Sequence, residues 1–192
     1  MGSCCTIARK AALPCAAAVL LLASCRSRPA LPVYGSISNF TLTAQDGKEF
    51  HGETLAGDLW VADFFFTHCL GPCPRMGEQM RKIDKALAGY PNVKLVSFTV
   101  DPDRDTPAVL ADYARRFQAE TGRWYFLSGP QATLQRLCRD DFKLGNVDGS
   151  LMHSTRFVLV DGQSRIRGYY DTSEQGTIDR LITDLKSLAE HS

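Results

Sequence analysis

Residues 59–66 constrain this chain more than any other segment. They read as an apolar run of strand length, and a strand without a polar face has to be covered on both sides. The run stops at Thr67-His68-Cys69-Leu70-Gly71-Pro72-Cys73-Pro74. A proline after the second cysteine opens a helix predicted to about Leu87, with Met76, Met80, Ile83 and Leu87 along one stripe. A buried strand feeding straight into a helix is the signature of an α/β protein. Here two thiols sit at the junction.

The same pattern recurs downstream. Residues 93–100 form a second buried strand that ends at Asp101-Pro102-Asp103-Arg104-Asp105-Thr106-Pro107, where Asp105 or Thr106 can cap a helix running to about Phe117. A short strand at 124–127 and a short helix at 131–139 follow. An antiparallel pair at 155–160 and 166–170 turns around Asp161-Gly162, and a closing amphipathic helix carries Ile178, Leu181, Ile182, Leu185 and Leu188. Ahead of the first buried strand, 40–43 and 49–51 make a hairpin about Asp46-Gly47. The expected fold for residues 36–192 is therefore α/β, a mixed central sheet flanked by helices with an N-terminal β-hairpin. A dithiol where the first central strand meets its helix is where thioredoxin-like folds keep theirs.

The N-terminus has its own logic. Arg9 and Lys10 precede the apolar stretch 11–23, which is shorter than the roughly 20 residues that span a bilayer. Residues 1–24 read as a cleavable signal, and Cys25 after Leu22-Ala23-Ser24 is placed like the lipid-bearing cysteine of a bacterial lipoprotein. An ordinary secretory signal with an incidental cysteine is the alternative. Residues 25–35, with Pro29 and Pro32, read as a tether between membrane and domain. Both readings put the domain outside the cytoplasm, on the periplasmic face, where disulfides persist. Of seven cysteines, Cys4, Cys5 and Cys15 leave with the signal and Cys25 is acylated, so Cys69, Cys73 and Cys138 remain. That is one working pair and one buried thiol, too few for a disulfide scaffold. Losing Arg9 and Lys10 takes the 22 basic residues to 20 against 21 acidic, which offers no footprint for nucleic acid.

The free N–H groups and the dipole of a helix's first turn stabilise nearby thiolate, so both cysteines are expected to deprotonate near neutral pH. Thiolate attacks disulfides and also binds soft metals. The sequence Cys69-Leu70-Gly71-Pro72-Cys73 has one residue more between its sulfurs than the Cys-Gly-Pro-Cys of thioredoxins, which leaves both sulfurs free to face a third party. Two thiolates and an imidazole form a donor set that suits copper in both oxidation states, whereas closed zinc sites use four ligands. The imidazole is His153, in the loop before the 155–160 strand, a loop that in a thioredoxin-like fold faces the dithiol.

Three segments in order then identify a resemblance: Thr67-His68-Cys69-x-x-x-Cys73-Pro74, Ser97-Phe98-Thr99-Val100-Asp101-Pro102-Asp103-Arg104-Asp105-Thr106-Pro107, and His153-Ser154 before Phe157-Val158-Leu159-Val160-Asp161. The chain resembles the Sco/SenC family of copper chaperones over nearly all of its mature domain. The resemblance implies delivery of copper to the CuA centre of cytochrome c oxidase, with Cys69 and Cys73 as copper thiolates and His153 as imidazole ligand. It implies as partners a CuA-bearing oxidase subunit or related copper acceptor and a thiol reductant. Many members are held by a transmembrane helix where this chain is expected to use a lipid. Leu70-Gly71-Pro72 departs from the family's usual proline-acidic-apolar spacer, and the family is divided between copper delivery and thiol reduction. A thiol–disulfide oxidoreductase acting on acceptor cysteines therefore stands as the alternative.

Other residues carry blander expectations. His68 is read as exposed or supporting, Met152 as loop packing, and Cys138 as a small core residue beside Leu134, Leu137 and Phe142. Asp101, at the end of a strand near the site, is a turn former and a candidate for supporting the metal ligands. A thioredoxin-superfamily peroxidase is disfavoured, because Thr67 stands two residues before Cys69 rather than three and the expected proline is missing.

Overall fold

The computed structural model describes residues 1–2, 31–145 and 154–190, and its frame is one eight-stranded sheet. The strands are β1 (Gly35–Ser36), β2 (Thr41–Ala44), β3 (Glu49–His51), β4 (Leu59–Phe65), β5 (Val93–Thr99), β6 (Trp124–Ser128), β7 (Arg156–Val160) and β8 (Arg165–Asp171). They lie in the order β1-β8-β7-β4-β5-β6-β2-β3. β4, β5 and β6 run parallel at the centre, while β7, β8 and the β2–β3 hairpin add antiparallel flanks. The helices are α1 (Cys73–Ala86), α2 (Pro107–Arg116), α3 (Gln131–Arg136) and α4 (Thr177–Ala189). Among the described residues no helix is long and apolar enough to cross a membrane.

Strand alternation splits the core into two layers. Val61 and Phe65 of β4 face Met76, Met80 and Ile83 of α1, Leu110 and Tyr113 of α2, and Leu181 of α4. Trp60, Ala62 and Phe64 face the opposite way, onto Phe98, Leu134, Leu137 and Phe142. Every residue of β4 is buried, which is why its sequence shows no polar period. Gly77 of α1 makes room for the ring of Phe117, the residue that ends α2; a Cβ there would collide with that ring.

The elements follow the sequence expectations with two differences. The helix expected over 131–139 is α-helical only to Arg136 and continues as a wider turn, Leu137–Asp141, that tucks Phe142 into the second layer. Gly35, the last residue of the stretch read as tether, pairs with Ile166 of β8, beside Ser36 and Arg165. Arg167 of β8 also donates to the carbonyls of Leu31 and Pro32. The signal stretch and Cys25 lie outside the described residues.

Candidate metal centre

β4 ends in a turn in which the N–H of Cys69 donates to the carbonyl of Phe66 (3.3 Å). The chain crosses an exposed crest at Leu70 and re-enters at Pro72, which precedes α1. Pro74 fits the first turn of that helix because the N–H it lacks would have no helical acceptor there. The two cysteines come back under the crest with no disulfide between them, Cys69 8 % exposed and Cys73 1 % exposed. They join the apolar layer of Phe65, Met76 and Tyr113. A pocket of about 640 Å³ opens between Thr67, His68, Cys69 and Leu70 on one side and Tyr113 and Arg116 of α2 on the other. Cys69 lines this pocket and Cys73 does not.

Electrostatics correct one expectation. Burial pushes the Cys73 thiol well above its ordinary range, and its hydrogen bond with the Cys69 thiol adds to the rise. The backbone N–H of Phe66 opposes both. Helix-start stabilisation does not win at Cys73, because moving a thiolate out of water costs more than one N–H and a helix dipole return. Nearby groups share the same aversion to negative charge. Asp63 is 3 % exposed, and burial lifts its carboxyl to about 7 while a hydrogen bond from Ser97 pulls the other way. Tyr113 is pushed up by burial and then by Cys73, Asp63 and Cys69. Burial thus favours the protonated forms of Cys73, Asp63 and Tyr113, and a cation bound beside them would favour proton release.

The loop before Cys69 is fixed by a buried carboxylate from the far side of the pocket. Asp105 is fully buried and accepts from the Thr67 N–H (3.2 Å), the Thr67 hydroxyl (2.5 Å) and the Thr99 hydroxyl (2.5 Å). Thr67 has one hydroxyl proton and gives it to Asp105. Its lone pair then faces Nδ1 of His68 at 3.0 Å, which calls for the proton on that nitrogen. Asp101 plays a different part. Its carbonyl accepts from the N–H groups of Arg104 and Asp105, and its carboxylate lies 3.8 Å from the Arg104 guanidinium. It builds the turn that delivers Asp105.

Of the residues singled out in the sequence, Cys69 and Cys73 are brought together, His68 is exposed at the pocket edge, and Cys138 is buried in the opposite layer. His153 and Met152 lie outside the described residues. Among the described residues no group of three or more His, Cys, Asp or Glu comes together as a metal site. Asp63 and Tyr113 escaped sequence reading. A single acid inside an apolar run was the signal for Asp63; Tyr113 gave none.

Known proteins share this architecture. A crystal structure of a SCO1/SenC family lipoprotein from Bacillus anthracis is 32 % identical, covers 81 % of this chain and 95 % of its own, and superposes with a TM-score of 0.74. BsSco, described as having a disulfide switch and as a member of the Sco family of cytochrome c oxidase assembly proteins, is 30 % identical. It covers 86 % of this chain and 100 % of its own, with a TM-score of 0.75. ScoI from Bradyrhizobium japonicum, solved with copper bound, is 25 % identical over 79 % of this chain and 98 % of its own, with a TM-score of 0.65. These likenesses bear out the thioredoxin-like fold. The SCO1/SenC family model matches residues 33–190, nearly the whole of the folded domain, and the chain belongs to that family.

Proposed function

We propose that this chain is a metallochaperone that holds copper through Cys69, Cys73 and His153 and passes it to the CuA-bearing subunit of cytochrome c oxidase or a related acceptor. The observation that carries this reading is the pair of reduced thiols, hydrogen-bonded to each other, one lining an open pocket and one outside its lining. Thiolates are soft donors suited to Cu(I), and an imidazole extends the set to Cu(II). The copper-bound ScoI of Bradyrhizobium japonicum is a relative holding the same metal. His153 enters from its sequence position before β7.

Transfer proceeds by ligand exchange. A ligand of the acceptor reaches the metal from the pocket side, where Cys69 lies. Cys73 lets go from behind and takes back the proton its surroundings favour. Oxidation to a Cys69–Cys73 disulfide removes two electrons and two protons and leaves no thiolate to bind, so loading requires a thiol reductant. Residues 1–24 as signal and a lipid on Cys25 keep the domain at the membrane outside the cytoplasm, in keeping with the lipoprotein from Bacillus anthracis. The disulfide switch described for BsSco favours a second reading, a thiol–disulfide oxidoreductase that reduces acceptor cysteines without obligatory copper.

The test is anaerobic titration of the reduced domain, beginning at Arg26, with Cu(I) and then Cu(II), beside His153→Ala. One tightly held copper per chain, with thiolate-to-copper charge transfer that His153→Ala weakens or alters, is expected. No tight copper, together with a readily cycled disulfide, overturns this reading in favour of the oxidoreductase.

A further inference from the structure

We infer that Asp105 is a positioning residue for Cys69 and Cys73, acting through Thr67. The inference rests on the dithiol being the working centre, as proposed above, and adds the device that sets its geometry. Asp105 stands two residues before α2, one short of the capping position, which Thr106 fills by accepting from the N–H of Val109. The turn from Asp101 then aims the Asp105 carboxylate inward, fully buried, onto three donors from two elements: Thr99 at the end of β5 and the backbone and side chain of Thr67 after β4.

A carboxylate accepts only, and all three partners donate, so the group and its site match. The match fixes a two-sided point. Phe66, one residue before Thr67, supplies the carbonyl that accepts from the Cys69 N–H and the backbone N–H that supports the Cys73 sulfur. Rotating the Phe66–Thr67 peptide would carry that carbonyl with it and loosen the turn at Cys69, while the Phe66 N–H, on the preceding peptide, would shift only through the Phe66 backbone. The same hydrogen bonds tie this loop to the start of α2, so the two walls of the pocket are fastened together at one end. Removing an outer partner of a metal ligand costs about tenfold to a hundredfold in affinity elsewhere, and a comparable loss is expected here.

The experiment measures two quantities on the chain and its variants. One is the equilibrium of the Cys69–Cys73 dithiol with glutathione disulfide, which takes two electrons and two protons as the S–S bond closes and leaves as two thiols. The other is Cu(I) affinity. Thr67→Val and Asp105→Ala are each expected to shift both by about tenfold or more. The double variant should lose no more than the larger single loss, since both act on one interaction. Thr67→Ser, which keeps the hydroxyl, should stay within about twofold of the parent. Val158→Ala, in the opposite layer, should lower Tm without moving either quantity. Should Asp105→Ala fail to fold, Thr67→Val alone carries the test. A folded Thr67→Val with both quantities at parental values overturns the inference, and so does Val158→Ala moving them equally. A chain that takes up no copper, yet whose dithiol equilibrium shifts in Thr67→Val, sinks the metallochaperone reading and leaves this one standing.

Discussion

Cys73 and Cys138 are both 1 % exposed, and burial raises both thiols, that of Cys138 to about 12. They lie on opposite faces of the sheet. Cys138 has apolar company such as Trp60, Phe64 and Phe142, and burial is the whole of its electrostatics. Cys73 has a second sulfur, a backbone N–H, a buried carboxyl and a phenol within electrostatic reach. Burial alone makes an inert cysteine. Burial beside other groups that resist negative charge makes a cluster whose protonated forms are favoured together.

Three measurements press on this contrast, from the largest effect down. Cys73→Ala is expected to abolish tight Cu(I) binding, while Cys138→Ala leaves the affinity unchanged and lowers stability alone. Comparable copper loss in both would erase the distinction between the faces.

Asp63→Asn comes next, since it removes the buried carboxyl and keeps its shape. The folded chain holds the Asp63 proton to about pH 7, whereas the unfolded chain releases it near 3.8. Between those values the native state binds more protons, so Asp63 makes stability fall as pH rises. Relative to the parent, the variant should gain on the order of 4 kcal/mol between pH 4 and pH 8. Chemical denaturation at the two pH values checks it, and a pH-independent difference would show that Asp63 titrates normally.

Gly77→Ala is the mildest, because its methyl meets the far end of the Phe117 side chain rather than backbone. A loss of about 1–3 kcal/mol is expected. Copper affinity should follow only if the α1–α2 contact also shapes the pocket, and titration of the variant separates the two effects.

The sequence shows the dithiol, the β4–α1 junction and the order of elements because each rests on local chemistry or a local period. Asp105 was legible only in part. It and Thr106 are equal candidates for a cap, and the choice between them depends on Thr67, 38 residues earlier in the chain. Asp63 was hidden by its neighbours, since one acid does not break the appearance of an apolar run. Gly35 was read as tether because so short a strand carries no period, and only β8 makes it and Ser36 a strand. His153 was proposed from its place before β7 and lies outside the described residues, so its weight still comes from sequence.

The margins of the sheet bear on how this protein can meet others. Its outermost strands, β1 and β3, are two and three residues long. Exposed strand edges are templates on which another chain can continue a sheet, and keeping them short is one way folded proteins avoid joining edge to edge. An extended peptide seeking strand addition would find almost no backbone to pair with at either described edge. The pocket and its exposed Leu70 crest offer side chains instead.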